Sequence, residues 1–285
     1  MIATRFHYAA PVDVQELDRT MAESGVTVLG GGTWVLPEMT AGIREPACIA
    51  DLRLLGFNRI QPVAGAIEVG AMVTYGQLIR AGATLGGASR LLALMASGIT
   101  GGAQLRNLGT VGGSACYASP ASDVPAVLVA LQAMMHLRGP AGARALAAED
   151  FFAGAFTAAI ASDEVLTHIT IPADDGDVQL GYQKFKLCES SYPIATAACL
   201  LRLNPDGTVA SARIAVGAVC PTPQVVPVDD LVVGSLPAEA ATKLVERVRD
   251  VCSEPYEDVL ASADYRRSIS GVIAKRALLL AGSAA

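Results

Sequence analysis

Charge is scarce in this 285-residue chain: charged side chains make up 17% of it and the formal net charge is -6. No basic field exists to hold a nucleic-acid backbone or an anionic membrane, which leaves small molecules and proteins as partners. Long apolar runs are missing too. The longest, around Ala126 to Met135, is interrupted by Gln132 and falls short of the roughly 20 residues that span a bilayer, so no membrane span is expected. The N-terminal Met1 to Tyr8 carries Arg5 and His7 and lacks an apolar export core with a small-residue cleavage site, which points to a cytoplasmic location.

Cysteine spacing excludes further classes. Cys48, Cys116, Cys188, Cys199, Cys220 and Cys252 are scattered with no C-x-x-C pair, so neither a zinc site nor an iron–sulfur cluster is signalled and no metal is expected. They read as ordinary thiols of a reducing compartment. The three histidines, His7, His136 and His168, stand apart from any acid or nucleophile pattern, so a hydrolase triad has no support and no catalytic side chain is assigned. Internal repeats and low-complexity segments are absent.

What the chain does have is apolar bulk and glycine. With 52% hydrophobic residues it can bury the core of one large or two ordinary domains. Glycine is concentrated in Gly30-Gly31-Gly32-Thr33-Trp34, closing an apolar run, and in Thr110-Val111-Gly112-Gly113-Ser114, after Gln104-Leu105-Arg106-Asn107. Residues without Cβ let other groups approach the backbone and let successive N–H groups converge on anionic oxygens. Either cluster alone is equally a tight turn. Two of them, about eighty residues apart and each flanked by strand-like sequence, suggest a two-loop clamp on the diphosphate of one dinucleotide.

The coarse element order is α then β at the start, with helix-like spacing over Val12 to Glu23 and a strand over Val26 to Gly30. Strand candidates follow at Cys48 to Asp51 and from Ile60 through Ile67 to Gly70, with Pro62 and Gly65 marking a hairpin-like excursion. Thr74 reads as the cap of a helix through Arg80. Leu91 to Ala96 continues a buried helical stretch, and Gly98 to Ala118 reads as a glycine-rich break. Period alone leaves Ala126 to Met135 as helix or strand, although Pro125 favours helix for part of it. Glu164 to Ile171 is a strand candidate ending at Pro172, and the polar Ala173 to Asp177 reads as a surface connection and the main domain boundary. Beyond it lie strand candidates Gly181 to Lys186, Ala195 to Leu203 and Val209 to Val219, with a hairpin turn at Asn204-Pro205-Asp206-Gly207. Ala238 to Val251 and Tyr265 to Leu280 are helical by composition, so the C-terminal part is α+β.

The string from Gln104 to Ser114, followed by Ser119-Pro120-Ala121-Ser122-Asp123-Val124-Pro125, closely resembles the flavin-binding medium subunit of molybdenum hydroxylases, the group of carbon monoxide, nicotine, xanthine and aldehyde dehydrogenases. Leu29 to Met39, Ile67 to Leu78, Val165 to Pro172 and Val216 to Pro223, with its G-A-V-C-P-T-P ending, match in the same order, as does Asp264-Tyr265-Arg266-Arg267 near the end. The resemblance covers nearly the whole chain. It implies an α+β protein: an FAD-binding domain of the p-cresol methylhydroxylase or vanillyl-alcohol oxidase type over 1–173, in two α/β subdomains of about 1–55 and 56–173. A smaller α+β domain with an antiparallel sheet and helices follows over 174–285.

The same resemblance implies the residue roles. Gly30, Gly31, Gly32, Thr33 and Trp34 would bring backbone donors to the diphosphate, and Trp34, where the family commonly has a smaller or polar residue, either contacts the flavin or fills a pocket. Thr110, Val111, Gly112, Gly113 and Ser114 would face the diphosphate and ribityl region. Asp123 would accept from sugar or ribityl hydroxyls; its other reading is a helix cap. Lys184 would stabilise negative charge near the pyrimidine end or is a solvated strand residue, and Tyr192 would cover the flavin ring or is a core aromatic. Arg106 and Asn107 would brace the second loop.

By the same resemblance, substrate is hydroxylated at a molybdopterin centre in a large subunit, electrons cross two 2Fe-2S clusters in a small subunit, and FAD in this chain delivers them to an external acceptor. A dimer of heterotrimers is the implied assembly. The absence of cluster-type cysteines fits this division of labour and speaks against variants carrying an inserted 4Fe-4S cluster. Two other readings stay open: a self-sufficient flavoprotein alcohol oxidase of the same fold, and a flavin-free scaffold for assembly.

Overall fold

Residue 2 and residues 4–173 and 177–283 are described by a computed structural model of the chain. Of the expected surface connection at Ala173 to Asp177, residues 174–176 lie outside the described residues. The N-terminal sheet is parallel and three-stranded, with Cys48–Asp51 between His7–Ala9 and Val26–Leu29. All four residues of the central strand are buried, as expected for a strand covered on both faces. The helix Val14–Met21 starts at Asp13, whose side chain accepts from the Glu16 N–H, and it buries Leu17 and Met21. Val26–Leu29 therefore delivers the first glycine cluster from a fixed strand end, where Leu29 pairs with Asp51.

A five-stranded antiparallel sheet comes next, ordered Ile60–Val63, Ala66–Gly70, Val165–Pro172, Met134–Gly139 and Gly142–Ala147. The first two strands are the hairpin marked by Pro62 and Gly65. The helix Tyr75–Ala81 opens with a capping box in which Thr74 and Gln77 each bond the other's backbone, satisfying two orphan donors at once. Its Leu78 joins Leu91, Leu92 and Met95 of the helix Arg90–Ser97 in the core beneath the sheet.

The ambiguous run resolves into two elements: a helix, Val124–Ala130, then a turn with Gln132 at φ 52°, then the strand Met134–Gly139. Every residue of that helix is buried. It packs against the strands Pro193–Leu203 and Val209–Gly217 of the third sheet as well as within the core that holds Leu91, Leu92 and Met95. A helix covered on all sides needs no polar face, and for that reason its sequence carries no helical period.

The third sheet is antiparallel, ordered Gln179–Lys186, Pro193–Leu203, Val209–Gly217 and Gln224–Val226. Pro237–Val251 and Ala263–Gly282 close its other face through Leu244, Val248, Ala274 and Leu278. Arg266, at the start of the last helix, is fully buried and donates to the carbonyls of Ile194 and Ala218, each at 2.8 Å, which ties that helix to the sheet.

The reading of Gly98 to Ala118 as a glycine-rich break is corrected. It folds into two short helices, Gly102–Leu108 and Val111–Tyr117. Glycine disfavours helix by about 1 kcal/mol per residue, but Thr110 caps the second helix by accepting from the Gly113 N–H. The Val111 and Gly112 N–H groups meanwhile donate to the carbonyls of Val73 and Ala71, each at 3.0 Å. Tertiary hydrogen bonds outweigh local propensity here.

Candidate functional site

The two glycine segments meet. Gly31 lies so close to the end of the helix Gly102–Leu108 that a Cβ there would fall 1.9 Å from the Leu108 carbonyl oxygen, and Gly32 has φ +71°, a backbone region that side chains avoid. Gly112 is similarly excluded from carrying a Cβ, which would sit 2.5 Å from that of Ala71. A cavity of about 290 Å³ opens between the segments, bordered by Gly30, Gly31, Gly32, Thr33 and Trp34 on one side and by Thr110, Gly112, Gly113 and Ser114 on the other.

The segments differ in what they offer. Among the described residues, no protein acceptor takes the backbone N–H groups of Gly30, Gly31, Gly32, Thr33 or Trp34. Those of Val111, Gly112, Gly113 and Ser114 are all used, on Val73 O, Ala71 O, Thr110 Oγ1 and Thr110 O. The expectation that both clusters present free backbone donors is therefore corrected: the first presents donors, and the second presents a glycine surface that allows close approach. Ser114 Oγ is hydrogen bonded to the Tyr75 hydroxyl, and burial pushes the Tyr75 phenol above its ordinary value.

A smaller hollow of about 80 Å³ shares Thr33, Trp34, Ser114 and Tyr117 with the first and extends to Asp123 and Tyr192. Trp34 lines both. It stacks on Tyr117, with ring centroids 4.5 Å apart and planes inclined by 18°, and on Tyr192 at 6.2 Å and 23°. Such offset stacking is favourable beyond area burial. Trp34 is 36% exposed and Tyr192 47%, so neither is a core aromatic. Tyr117 donates from its hydroxyl to Glu38 Oε1 at 3.2 Å, and burial together with Glu38 pushes its phenol up to about 12.

Asp123 does not cap the helix it precedes: its side chain makes no cap hydrogen bond, and Ser122 Oγ takes the Val124 N–H instead, at 3.3 Å. Asp123 Oδ2 accepts from Lys184 Nζ at 2.9 Å, and Oδ1 accepts from the Tyr182 hydroxyl. Lys184 also donates to the Gly98 carbonyl at 3.0 Å. The Lys184 and Asp123 side chains are 8% and 6% exposed, so Lys184 is not a solvated strand residue. Burial pushes the Asp123 carboxyl up from its ordinary value, opposed by Lys184 and by the Tyr182 hydroxyl. The same burial, reinforced by Asp123, raises the Tyr182 phenol.

Val111 and Lys184 line neither hollow; Val111 is fully buried in the core. Arg106 does not brace the second glycine segment. It donates to the carbonyls of Ile99, at 3.0 Å, and Ser97, at 3.3 Å, because the helix Gly102–Leu108 turns it back toward the end of Arg90–Ser97. Sequence reasoning misses Tyr182, although it sits two residues before Lys184 on one strand and so shares its face. Tyr75, Glu38 and Tyr117 carry no sequence signal of a shared site. Among the described residues no group of three or more His, Cys, Asp or Glu side chains is arranged to hold a metal ion, and no helix is long and apolar enough to cross a membrane.

Comparison with known proteins gives two family matches: the FAD binding domain in molybdopterin dehydrogenase over residues 4–174, and the CO dehydrogenase flavoprotein C-terminal domain over residues 181–281. The chain is 31% identical to the carbon monoxide dehydrogenase medium chain of Hydrogenophaga pseudoflava over 98% of this chain and 97% of that one. It is 29% identical to the nicotine 6-hydroxylase medium subunit of Paenarthrobacter nicotinovorans, over 97% of each. Among solved structures, reconstituted CO dehydrogenase from Oligotropha carboxidovorans superimposes with a TM-score of 0.92 at 30% identity over 100% of both chains.

Proposed function

For a chain that belongs to the family of FAD-binding medium subunits of molybdopterin-dependent dehydrogenases, we propose the role of FAD-binding electron-transfer subunit in a heterotrimeric molybdenum hydroxylase. The observation that carries this reading is the row of amides from Gly30 to Trp34 that are unpaired among the described residues, bordering one cavity together with the glycine surface of the second segment. Gly30 to Thr33 are half-buried and Trp34 is exposed, so these amides are open to water or to a bound acceptor, and the phosphates of a dinucleotide are acceptors of the kind such a row suits.

FAD, when bound, exchanges electrons singly or in pairs, which suits a subunit standing between the 2Fe-2S clusters of a partner and an external acceptor. The residues of this chain bind and orient. Gly30, Gly31, Gly32, Thr33 and Trp34 donate to the diphosphate, while Gly112 and Gly113 admit it close to the backbone and Thr110 and Ser114 add hydroxyls. Asp123 accepts from sugar or ribityl hydroxyls through its remaining lone pairs. Lys184, which lines neither hollow and is paired with Asp123 and Gly98, would act on the flavin's pyrimidine end only through Asp123, which it holds in place. Tyr192 covers the ring face.

The same reading divides the chain near residue 173, with two N-terminal subdomains meeting near residue 55. It supplies a large molybdopterin subunit and a small 2Fe-2S subunit as partners, in a dimer of heterotrimers located in the cytoplasm. The absorption spectrum of the purified full chain tests it: bound FAD is expected, together with reduction of artificial acceptors and no turnover of simple alcohols. A colourless chain that takes up no added FAD would favour the scaffold reading, and alcohol oxidation by the chain alone would favour the oxidase.

A further inference from the structure

Arg44 carries a feature that the glycine segments do not explain. It is the only cationic side chain among the described residues bordering the 290 Å³ cavity. Its Nε donates to Glu38 Oε2 at 2.7 Å, and its own backbone N–H bonds the Glu38 carbonyl at 3.3 Å. Glu38 is in turn held from its other carboxylate oxygen by the Tyr117 hydroxyl at 3.2 Å. The guanidinium is thus anchored by one of its five N–H donors. Its two terminal nitrogens bond no protein group among the described residues, and the side chain is 41% exposed.

The one acidic side chain among the described residues on the same cavity wall is already neutralised. Glu164 is gripped by Arg144 through both oxygens, each at 2.6 Å, and accepts the Ala161 N–H at 2.8 Å. The cavity therefore combines unpaired amides, one half-free guanidinium and no unpaired carboxylate among the described residues. A planar guanidinium held by Nε presents its terminal nitrogens in the geometry that matches two phosphate oxygens, and holding it in place beforehand lowers the entropy lost on binding.

We propose that Arg44, oriented by Glu38 and Tyr117, is the cationic partner of the cofactor's diphosphate and makes the site select a diphosphate-bearing nucleotide over an uncharged flavin or nucleoside. The inference rests on the FAD reading above and adds a residue to it. Gly30 to Trp34 then supply directional hydrogen bonds, and Arg44 supplies the compensating charge. Because Glu38 accepts from Nε only, it keeps its bond while the terminal nitrogens engage phosphate.

Isothermal titration of the purified full chain with FAD, ADP, riboflavin and adenosine tests this. Arg44→Ala is expected to weaken FAD and ADP about tenfold or more, the size of a lost charge-assisted contact, while leaving riboflavin and adenosine unchanged. The salt dependence of ADP binding should flatten in the same variant, Arg44→Lys should recover part of the loss, and Glu38→Gln should weaken ADP less than Arg44→Ala. The 31P resonances of bound ADP are expected to shift between wild type and Arg44→Ala, and circular dichroism melting checks that the variants fold. ADP binding and salt dependence equal in wild type and Arg44→Ala would overturn the role of Arg44 while leaving the FAD reading intact. A wild-type chain that binds neither FAD nor ADP would overturn both.

Discussion

Lys184 Nζ and Asp123 Oδ2 meet at 2.9 Å, joining the first strand of the C-terminal sheet to the residue that precedes the buried helix Val124–Ala130. The pair is nearly dry and accepts a third member in Tyr182. Removing one partner of such a pair leaves an uncompensated buried charge, whereas replacing both with apolar groups is often close to neutral. Lys184→Met is therefore expected to destabilise the chain by about 3 kcal/mol, and adding Asp123→Leu to it should restore part of that, offset by the Tyr182 hydroxyl left without its acceptor. Urea unfolding of wild type, both single variants and the double variant measures the coupling; additive losses would sink the idea.

The pH dependence follows from the direction of the Asp123 shift. Burial raises its folded-state value above the unfolded 3.8, so the folded chain holds this proton more tightly than the unfolded chain does. Its contribution to stability is then fully present below 3.8 and is lost as pH rises through the folded value. Asp123→Asn removes that fall. Plotted against pH, the stability difference between wild type and Asp123→Asn should decline with rising pH; a flat or rising difference contradicts the burial argument.

Gly31 and Gly86 give opposite expectations for the same substitution. A Cβ on Gly31 meets the Leu108 carbonyl at 1.9 Å, whereas one on Gly86 meets nothing within 4 Å. Gly31→Ala should destabilise by about 3 kcal/mol through overpacking against backbone and lose retained FAD. Gly86→Ala should stay within about 0.5 kcal/mol of wild type. Melting curves and the flavin-to-protein absorbance ratio distinguish the two.

Trp34, the only tryptophan in the chain, stacks on Tyr117 and Tyr192 at the wall shared by both hollows. Added FAD is expected to quench its emission in proportion to occupancy. Tyr192→Ala should change the emission of the cofactor-free chain with little effect on unfolding free energy, since Tyr192 is 47% exposed. Emission that ignores FAD while the flavin spectrum shows binding would place Trp34 outside the cofactor's surroundings.

Thr110→Ala removes the acceptor for the Gly113 N–H, a 3.0 Å bond at the start of a helix with two glycines in its first turn. A loss of about 1 kcal/mol is expected from the missing cap, with Thr110→Ser close to wild type. Hydrogen exchange at the Gly113 amide reads the loss locally.

Features decided by near neighbours in the chain are legible in its sequence. The Thr74 cap is one, because cap and capped amide lie within one helical turn, and the Pro62 and Gly65 hairpin is another, because a turn is decided by its own residues. The run Ala126 to Met135 stays ambiguous because a helix buried on all sides and a buried strand have the same composition. Gly98 to Ala118 misleads for a related reason: glycine lowers helix propensity locally, while the bonds from Val111 and Gly112 to Val73 and Ala71 come from elsewhere in the chain.

By itself the amino-acid order determined where backbones without Cβ would lie, which strands alternate or run continuously apolar, and which family's motifs recur in which sequence. Only the tertiary structure decided which of the two glycine segments keeps its amides unpaired, and that Arg44, Glu38 and Tyr117 stand together, the last two 79 residues apart. The physical reason is that a glycine cluster states what a backbone is able to do, whereas a hydrogen bond is settled by the acceptor that folding brings to it, and here Val73, Ala71 and Thr110 reach one segment and nothing among the described residues reaches the other.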